Sequence, residues 1–192
     1  MNPMDLTEIL RSIRTGKQYS DFMLLTIHCH QNNYVYQHYG FDHEVPDFLP
    51  EFAHRAIENG ADAVIGHAVH TIRPVEIYKG KPIFYGLSEF AWQAPQASIS
   101  QNPGGEATEA ETRYRPGSEM RRLNRPETLE NLLAESHYEN GRLVEVRLYP
   151  GDLGQDQSRP FSRRGISMMP NGSASSGKGA EALPTVRDED SH

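Results

Sequence analysis

The fold is decided by residues 59–70, which read NGADAVIGHAVH. Residues 61–66 are predicted to form a short strand, and a continuous apolar run lies earlier, at residues 22–27. Runs of this length suit strands that a parallel sheet buries on both faces. Between them, residues 47–59 carry apolar side chains at helical spacing, and Gly60 follows where helices commonly end. This order predicts a βαβ unit, so we expect the two strands to be parallel neighbours.

The segments on either side of this unit extend the α/β pattern. Residues 7–13 have helical spacing, with Thr7 as the expected N-cap and Gly16 as the expected end of the helix. Residues 72–78 and 82–87 are two β-rich runs around a Lys-Gly turn, which predicts a β-hairpin after the βαβ unit.

The second half of the chain has weaker patterns. Residues 94–110 are rich in Gln, Ser, Pro and Gly, which predicts a loop, and we interpret residues 126–137 as a helix. Residues 143–148 alternate apolar and polar side chains after an Asn-Gly turn, the pattern of a further, half-buried strand. We therefore expect a domain at residues 1–165 and a disordered tail at residues 166–192.

Composition excludes several classes of protein. The 192 residues suffice for one domain, and the net charge of −7 without a basic stripe predicts no nucleic-acid partner. Cys29 is the only cysteine in the sequence, so no disulfide can form within the chain. We find neither an apolar run long enough for a transmembrane segment nor the pattern of a signal peptide, which by default predicts a cytoplasmic location.

Histidines follow both predicted strands. His28 and His30 end the first strand, and His67 and His70 follow the second. Functional groups gather beyond the carboxyl ends of parallel strands, so these side chains should lie together. Neutral imidazole is a common ligand of zinc, iron and manganese, and we expect Gly66 to let the backbone turn tightly before the ligands. For any one histidine, a hydrogen-bonded or exposed position in a loop is favoured, whereas three histidines at two adjacent strand ends favour a metal site.

The histidine motif also resembles a known family. The pattern strand-Gly-His-X-X-His continues into RPVEIYKGKPIFY at residues 73–85, it is preceded by NGADAVIGH at residues 59–67, and TIHCH stands at residues 26–30. These stretches resemble the CapA-type capsule-synthesis family, which is linked to poly-γ-glutamate biosynthesis and is similar to calcineurin-like metallophosphoesterases. The resemblance extends over residues 5–165 and is strongest over residues 47–87.

The resemblance implies a partial metallophosphatase-like sandwich and roles for several residues. His28, His67 and His70 match family metal ligands. His30 lies beside them, either as a ligand, as a group that orients a ligand, or as the catalytic acid for the leaving group. Glu76 matches a family acid that either orients a ligand histidine or forms a salt bridge in the hairpin. A complete family site implies two divalent metal ions (Mn, Fe or Zn), an anionic small-molecule or polymer substrate, and other capsule-synthesis proteins as partners.

The chain also departs from the family pattern. The Asp-X-His, Gly-Asp and Gly-Asn-His segments that complete a two-metal site do not occur before His28. Ala68-Val69 stands where the family usually has a Gly-Pro pair, and GLSEF at residues 86–90 stands where it has Ser-Leu-Gly-Asn-Phe, so that Glu89 adds an acid near the site. We therefore expect the C-terminal half of such a domain, as a truncated product, a gene-model fragment or a degenerate paralogue.

Three functions are consistent with these features. The first is a CapA-like metallophosphatase-fold protein of polymer biosynthesis with an incomplete two-metal site, which is a metal-dependent phosphoesterase-like hydrolase if the missing N-terminal half is present. The second is a non-catalytic remnant of the fold that acts in polymer export or assembly. The third is a mononuclear hydrolase whose metal is held by His28, His67 and His70 with one open position.

Overall fold

The computed structural model describes residues 1–31, 43–92, 129–154 and 165–168. In chain order its elements are α1 (Pro3–Gln18), β1 (Leu24–His28), α2 (Phe48–Glu58), β2 (Ala63–His67), β3 (Val75–Tyr78), β4 (Lys81–Phe84), β5 (Glu130–Glu139) and β6 (Arg142–Asp152). Four strands form one sheet in the order β1-β2-β4-β3, and β5 pairs with β6 in a two-stranded ribbon. The predicted mixed α/β class, with a βαβ unit, a hairpin and a further strand, is confirmed.

The βαβ unit is the centre of the fold. β1 and β2 pair in parallel, from Leu24 opposite Ala63 to His28 opposite His67. Helix α2 connects them and ends at Asn59, and Gly60 follows with φ 116°, a conformation that glycine adopts without steric cost. The predicted helix and its end are therefore confirmed.

The two parallel strands differ in burial, which corrects part of the prediction. Residues of β1 alternate between exposed and half-buried, and Leu24 is 46% exposed. In β2, Ala63 and Val64 are buried. Successive side chains of a strand point to opposite faces, so one face of β1 packs against the core through Leu25 and Ile27 while the other is exposed. Burial on both faces is thus wrong for β1.

Helix α1 is longer than its apolar spacing indicated. It begins at Pro3, and the side chain of Asn2 caps it by accepting a backbone N–H of the first turn. Proline suits a first helical position because its missing N–H would have no partner there. Thr7 lies inside the helix, where its hydroxyl donates to the Pro3 carbonyl at 2.8 Å. Thr7 as N-cap and Gly16 as the end of the helix are therefore wrong.

The predicted hairpin is present. β3 and β4 pair antiparallel, with Val75 opposite Phe84 and Tyr78 opposite Lys81. The two turn residues Lys79 and Gly80 have φ angles of 50° and 70°, as the tight turns of β-hairpins require. β4 also pairs in parallel with β2, so the hairpin continues the sheet of the βαβ unit.

The interpretation of residues 126–137 as a helix is wrong for the part that the structure describes. Residues from Glu130 onward form β5, which pairs antiparallel with β6 around Asn140 and Gly141. Both turn residues have positive φ, at 51° and 77°. Inward and outward positions alternate along β5, so pairing with β6 outweighs the helix propensity of its leucine and glutamate residues.

Some predictions fall wholly or partly outside the described residues. The loop expected at residues 94–110 and residues 169–192 of the expected tail lie there. Within the tail segment, Ile166 forms an antiparallel bridge with Ala91, and Met168 forms one with Asp152. Residues 166–168 therefore pair with the body of the domain.

The core lies on the helical side of the sheet. Buried side chains from both helices pack with strand residues in one cluster, which includes Leu6, Ile13, Phe52, Val64 and Ile83. This packing fixes the sheet and leaves the carboxyl ends of β1 and β2 at one rim. Within the described ranges, none of the helices has both the length and the apolar character to span a membrane.

Candidate metal site at the ends of the parallel strands

Four histidine side chains meet where β1 and β2 end. The rings of His28 and His67, which stand opposite each other in the ladder, have centroids 4.9 Å apart. The centroid of His30 lies 4.8 Å from that of His28 and 5.4 Å from that of His70. The structure thus brings together all four histidines that the sequence singled out, and we call them the histidine cluster.

The alternation of β1 explains why two of these rings share one side. Successive side chains of an extended chain point to opposite faces. Cys29 is 2% exposed and packs in the hydrophobic core, while its backbone N–H donates to the His67 carbonyl at 3.0 Å. His28 and His30 therefore lie together on the side away from the core.

His67 and His70, at and after the end of β2, are not positioned by the turn that the sequence predicted at Gly66. Val69 is 1% exposed and anchors the chain just after the strand, and the turn is made by Ala68 and His70, whose φ angles are 82° and 60°. Gly66 is needed for another reason, because a Cβ atom there would lie 2.6 Å from the Tyr85 carbonyl oxygen. The expected turn at Gly66 is therefore wrong, and the glycine permits close approach of neighbouring backbone.

An acid contacts the histidine cluster. Glu89 Oε1 lies 2.7 Å from His70 Nδ1, and the side chains of the pair are 16% and 31% exposed, respectively. The sequence indicated Glu89 as an extra acid near the site but not as a partner of His70. The register of the hairpin already indicated this contact. If the pairing of Val75 with Phe84 is extended away from the turn, residue 70 comes opposite residue 89.

A buried arginine, which sequence reasoning missed, ties the two histidine-bearing segments together. Arg73 is 1% exposed, and its Nη2 donates to the carbonyl of Gln31 at 2.9 Å. Gln31 directly follows His30, and Arg73 follows the segment of His70. The guanidinium group thus holds the chain after β1 against the chain after β2.

His30 has the environment of a neutral ring. Its Nδ1 is buried and has no hydrogen-bond partner among the described residues. Desolvation lowers the pKa of His30, and repulsion from His28, His70 and His67 lowers it further. A neutral imidazole offers a lone pair to a metal ion, and it is a poor proton donor. This environment is more favourable to a ligand than to the catalytic acid that the sequence also allowed.

Glu76 contacts a histidine outside the cluster. Its Oε1 lies 2.7 Å from His54 Nε2, and its Oε2 accepts a hydrogen bond of 2.6 Å from the Tyr85 hydroxyl. Burial raises the pKa of Tyr85, and the contact with Glu76 raises it further, so the hydroxyl stays protonated as a donor. Glu76 thus forms an ion pair with His54 of α2, which agrees with the salt-bridge alternative and not with the orientation of a histidine of the cluster.

The spacing of the four imidazole rings can be set against the geometry that a divalent metal ion requires. Two imidazoles that share one tetrahedral metal at about 2.1 Å have centroids about 5 Å apart, which is the spacing of the cluster. The buried Nδ1 of His30 is a further donor. As the side chains stand, no three His, Cys, Asp or Glu residues of the described ranges converge closely enough to hold a metal. The residue types and the ring spacing fit a metal ion.

The part of the chain that contains the histidine cluster is also the part that resembles a known protein family. Residues 1–94 match the model of the family described as bacterial capsule synthesis protein PGA_cap. This segment belongs to the capsule-synthesis family. The segment contains α1 to β4, all four histidines of the cluster, and Glu89. The resemblance to the CapA-type family, read from residues 47–87, is thereby confirmed.

Curated relatives of this chain come from several bacteria. Two proteins of Sinorhizobium fredii, both described as uncharacterized, are 35% identical over 183 residues, which cover 88% of this chain and 38% of theirs. The PGA biosynthesis protein CapA of Bacillus subtilis is 28% identical over 90 residues, 47% of this chain and 22% of that protein. A probable polyglutamine synthesis accessory protein of Mycobacterium tuberculosis is 58% identical over 38 residues, 20% of this chain and 10% of its own. The chain thus spans 38% of the length of the first two relatives.

Proposed function

We propose that this chain is a metallophosphatase-fold protein of capsule or poly-γ-glutamate biosynthesis, and that the histidine cluster is the nitrogen-donor half of its metal site. Membership of the PGA_cap family and the names of the relatives support the link to polymer biosynthesis. The single observation that carries the metal site is the meeting of four imidazoles at two paired strand ends.

Each residue of the cluster has a distinct part in this proposal. His28, His67 and His70 hold the metal, and His30 is a fourth nitrogen donor, since its pKa is lowered and its Nδ1 is buried. A bound divalent ion would polarise the phosphoryl oxygens of an anionic substrate. The protein positions the donors by the β1–β2 ladder and by the buried anchors Cys29 and Val69.

The family resemblance implies oxygen ligands besides these nitrogen donors. Aspartate and asparagine side chains would supply these oxygen ligands and complete the hydrolytic site. An alternative is a mononuclear site that uses the histidines alone. Two metal ions bound per chain would exclude the mononuclear site, because that site holds one.

Metal titration of the full chain tests the proposal. We expect the wild type to bind Zn²⁺ or Mn²⁺ in calorimetry, and His67→Ala and His70→Ala each to weaken binding at least tenfold because each removes a donor. His137→Ala is the matched control, since His137 lies in β5 with its side chain 45% exposed, and it should bind as the wild type does. Circular dichroism verifies that all variants are folded.

Hydrolysis of bis(p-nitrophenyl) phosphate provides the second measurement. Under the proposal, metal-dependent hydrolysis is lost in His67→Ala and His70→Ala and retained in His137→Ala. Equal metal content in the wild type and in the two cluster variants would remove the site assignment. Metal binding without hydrolysis would support the nitrogen-donor half and reject catalysis by this chain alone.

A further inference from the structure

His70 and Glu89 form a pair, and paired backbone next to them holds their two segments together. The hairpin register does not stop at the ends of β3 and β4, because Arg73 N–H donates to the Gly86 carbonyl at 2.9 Å and Ile72 pairs with Leu87. Continued by two residues, this register brings His70 to Glu89, with 2.7 Å between Nδ1 and Oε1. The paired backbone thus brings the two segments together, and the His70–Glu89 contact lies just beyond the last pair, Ile72 and Leu87.

The backbone around the pair has an uncommon conformation. His70 and Ser88 have φ angles of 60° and 64°, in the left-handed region that side-chain-bearing residues seldom occupy. The Ser88 hydroxyl donates to the His70 carbonyl at 3.3 Å, which joins the two segments a second time. Such conformations cluster where surrounding structure fixes a functional geometry.

We propose that Glu89 is a positioning residue that fixes the tautomer and the ring orientation of His70 for metal binding. The carboxylate accepts the Nδ1–H, so that Nε2 carries the lone pair of the neutral ring, and this ring lies 5.4 Å from that of His30. Metal-bound histidines commonly donate their other N–H to a carboxylate, which fixes the ring and strengthens it as a donor. The inference rests on the proposed metal role of the cluster.

A second histidine–carboxylate pair supplies a matched control. His54 Nε2 and Glu76 Oε1 are also 2.7 Å apart, with side chains 32% and 34% exposed. The ring of His54 is stacked on Tyr78 with centroids 3.8 Å apart, and it is not one of the four rings of the histidine cluster. Removing the charge of Glu76 therefore perturbs an ion pair of the same kind without touching the proposed site.

The experiment compares wild type, Glu89→Ala, Glu89→Gln and Glu76→Gln as full chains. Zn²⁺ affinity is measured by competition with a chelator at pH 8, where histidine is neutral. We expect Glu89→Ala to weaken Zn²⁺ binding about 10- to 100-fold. Glu89→Gln should lie between Glu89→Ala and the wild type, because its amide oxygen still accepts the Nδ1–H without the charge. Glu76→Gln should stay within about twofold of the wild type.

Nitrogen-15 chemical shifts of the His70 ring give a readout that does not depend on metal. In the metal-free wild type and in Glu89→Gln, we expect the Nδ1–H tautomer, and in Glu89→Ala a mixture of tautomers. Zn²⁺ binding in Glu89→Ala equal to that of the wild type, while His70→Ala loses it, would overturn the inference and leave the metal site standing. A wild type that binds no Zn²⁺ refutes the proposed function, and a wild-type His70 without the Nδ1–H tautomer refutes the role of Glu89.

Discussion

At the scale of single residues, Asp62 connects three parts of the described fold. Its Oδ2 accepts hydrogen bonds of 2.7 Å from Lys17 Nζ and from the backbone N–H of Met23, and its Oδ1 accepts one of 3.1 Å from Lys81 Nζ. Helix α1, the start of β1 and the start of β4 are thereby joined. Burial opposes ionisation of Asp62, but the contacts with Lys17, Met23 and Lys81 outweigh it and lower its pKa.

We predict that Asp62→Asn destabilises the fold by about 2–3 kcal/mol, because it removes charge-assisted hydrogen bonds from a side chain that is 14% exposed. Urea denaturation followed by circular dichroism measures the change. Glu8→Gln is the control, since the Glu8–Arg11 pair is 64% and 68% exposed and such surface pairs contribute little. A loss for Asp62→Asn as small as that for Glu8→Gln would contradict the prediction.

The pH dependence of this effect has a defined sign. A carboxyl group whose pKa is lower in the folded state adds stability that is complete above the unfolded pKa and is lost as pH falls through the folded value. The ordinary pKa of Asp62 is 3.8 and the folded one is lower. The difference in unfolding free energy between wild type and Asp62→Asn should therefore be constant from about pH 6 to pH 8 and shrink below about pH 4. A difference that increases as pH falls would show that the sign is wrong.

At the scale of elements, the accuracy of sequence-based prediction followed the local strength of the patterns. The helix at Phe48–Glu58 and the strand after it were predictable because apolar spacing, the glycine stop and the apolar run agree along one continuous stretch. β5 was missed although Asn140 and Gly141 were recognised as a turn. A two-residue hairpin turn requires a strand on both sides, and only the strand after it was predicted.

The residues of the candidate site were predictable from the sequence, but only part of their geometry was. Parallel pairing of β1 and β2 was enough to bring His28 and His67 together. The partner of His70 depended on the register of a hairpin, and the partner of Glu76 depended on the position of α2 relative to that hairpin. The register follows from the predicted hairpin, whereas the position of α2 is set by packing between elements, which no local sequence pattern encodes.

Gly66 tests how tightly β2 packs beside the end of β4. We predict that Gly66→Ala destabilises the fold by about 2–3 kcal/mol, because the new Cβ would lie 2.6 Å from the Tyr85 carbonyl and backbone must move. Gly16→Ala is the matched control, since its Cβ would meet only the flexible Met23 side chain at 3.1 Å, and alanine favours helix. Chemical denaturation should show no loss for Gly16→Ala, and equal stability of the wild type and Gly66→Ala would contradict the close-packing role.

At the scale of the whole molecule, the fold places its chemistry at one rim of the sheet. Both helices and the core cover the opposite side of β1, as the burial of Cys29 shows, while His28 and His30 lie away from it. Residues 1–94 carry both the match to the capsule-synthesis family and the histidine cluster. The family match and the histidine cluster therefore lie in the same segment. The proposed function depends mainly on the assignment of this cluster as a metal site.

Anomalous diffraction from crystals of the full chain grown with Zn²⁺ tests this claim most directly. We predict an anomalous peak at the zinc edge within about 2.0–2.2 Å of ring nitrogens of His28, His67 and His70. His70 should keep its contact with Glu89 on the other ring nitrogen. A cluster without such a peak, in crystals that bind zinc elsewhere or not at all, would contradict the assignment of these histidines as metal ligands.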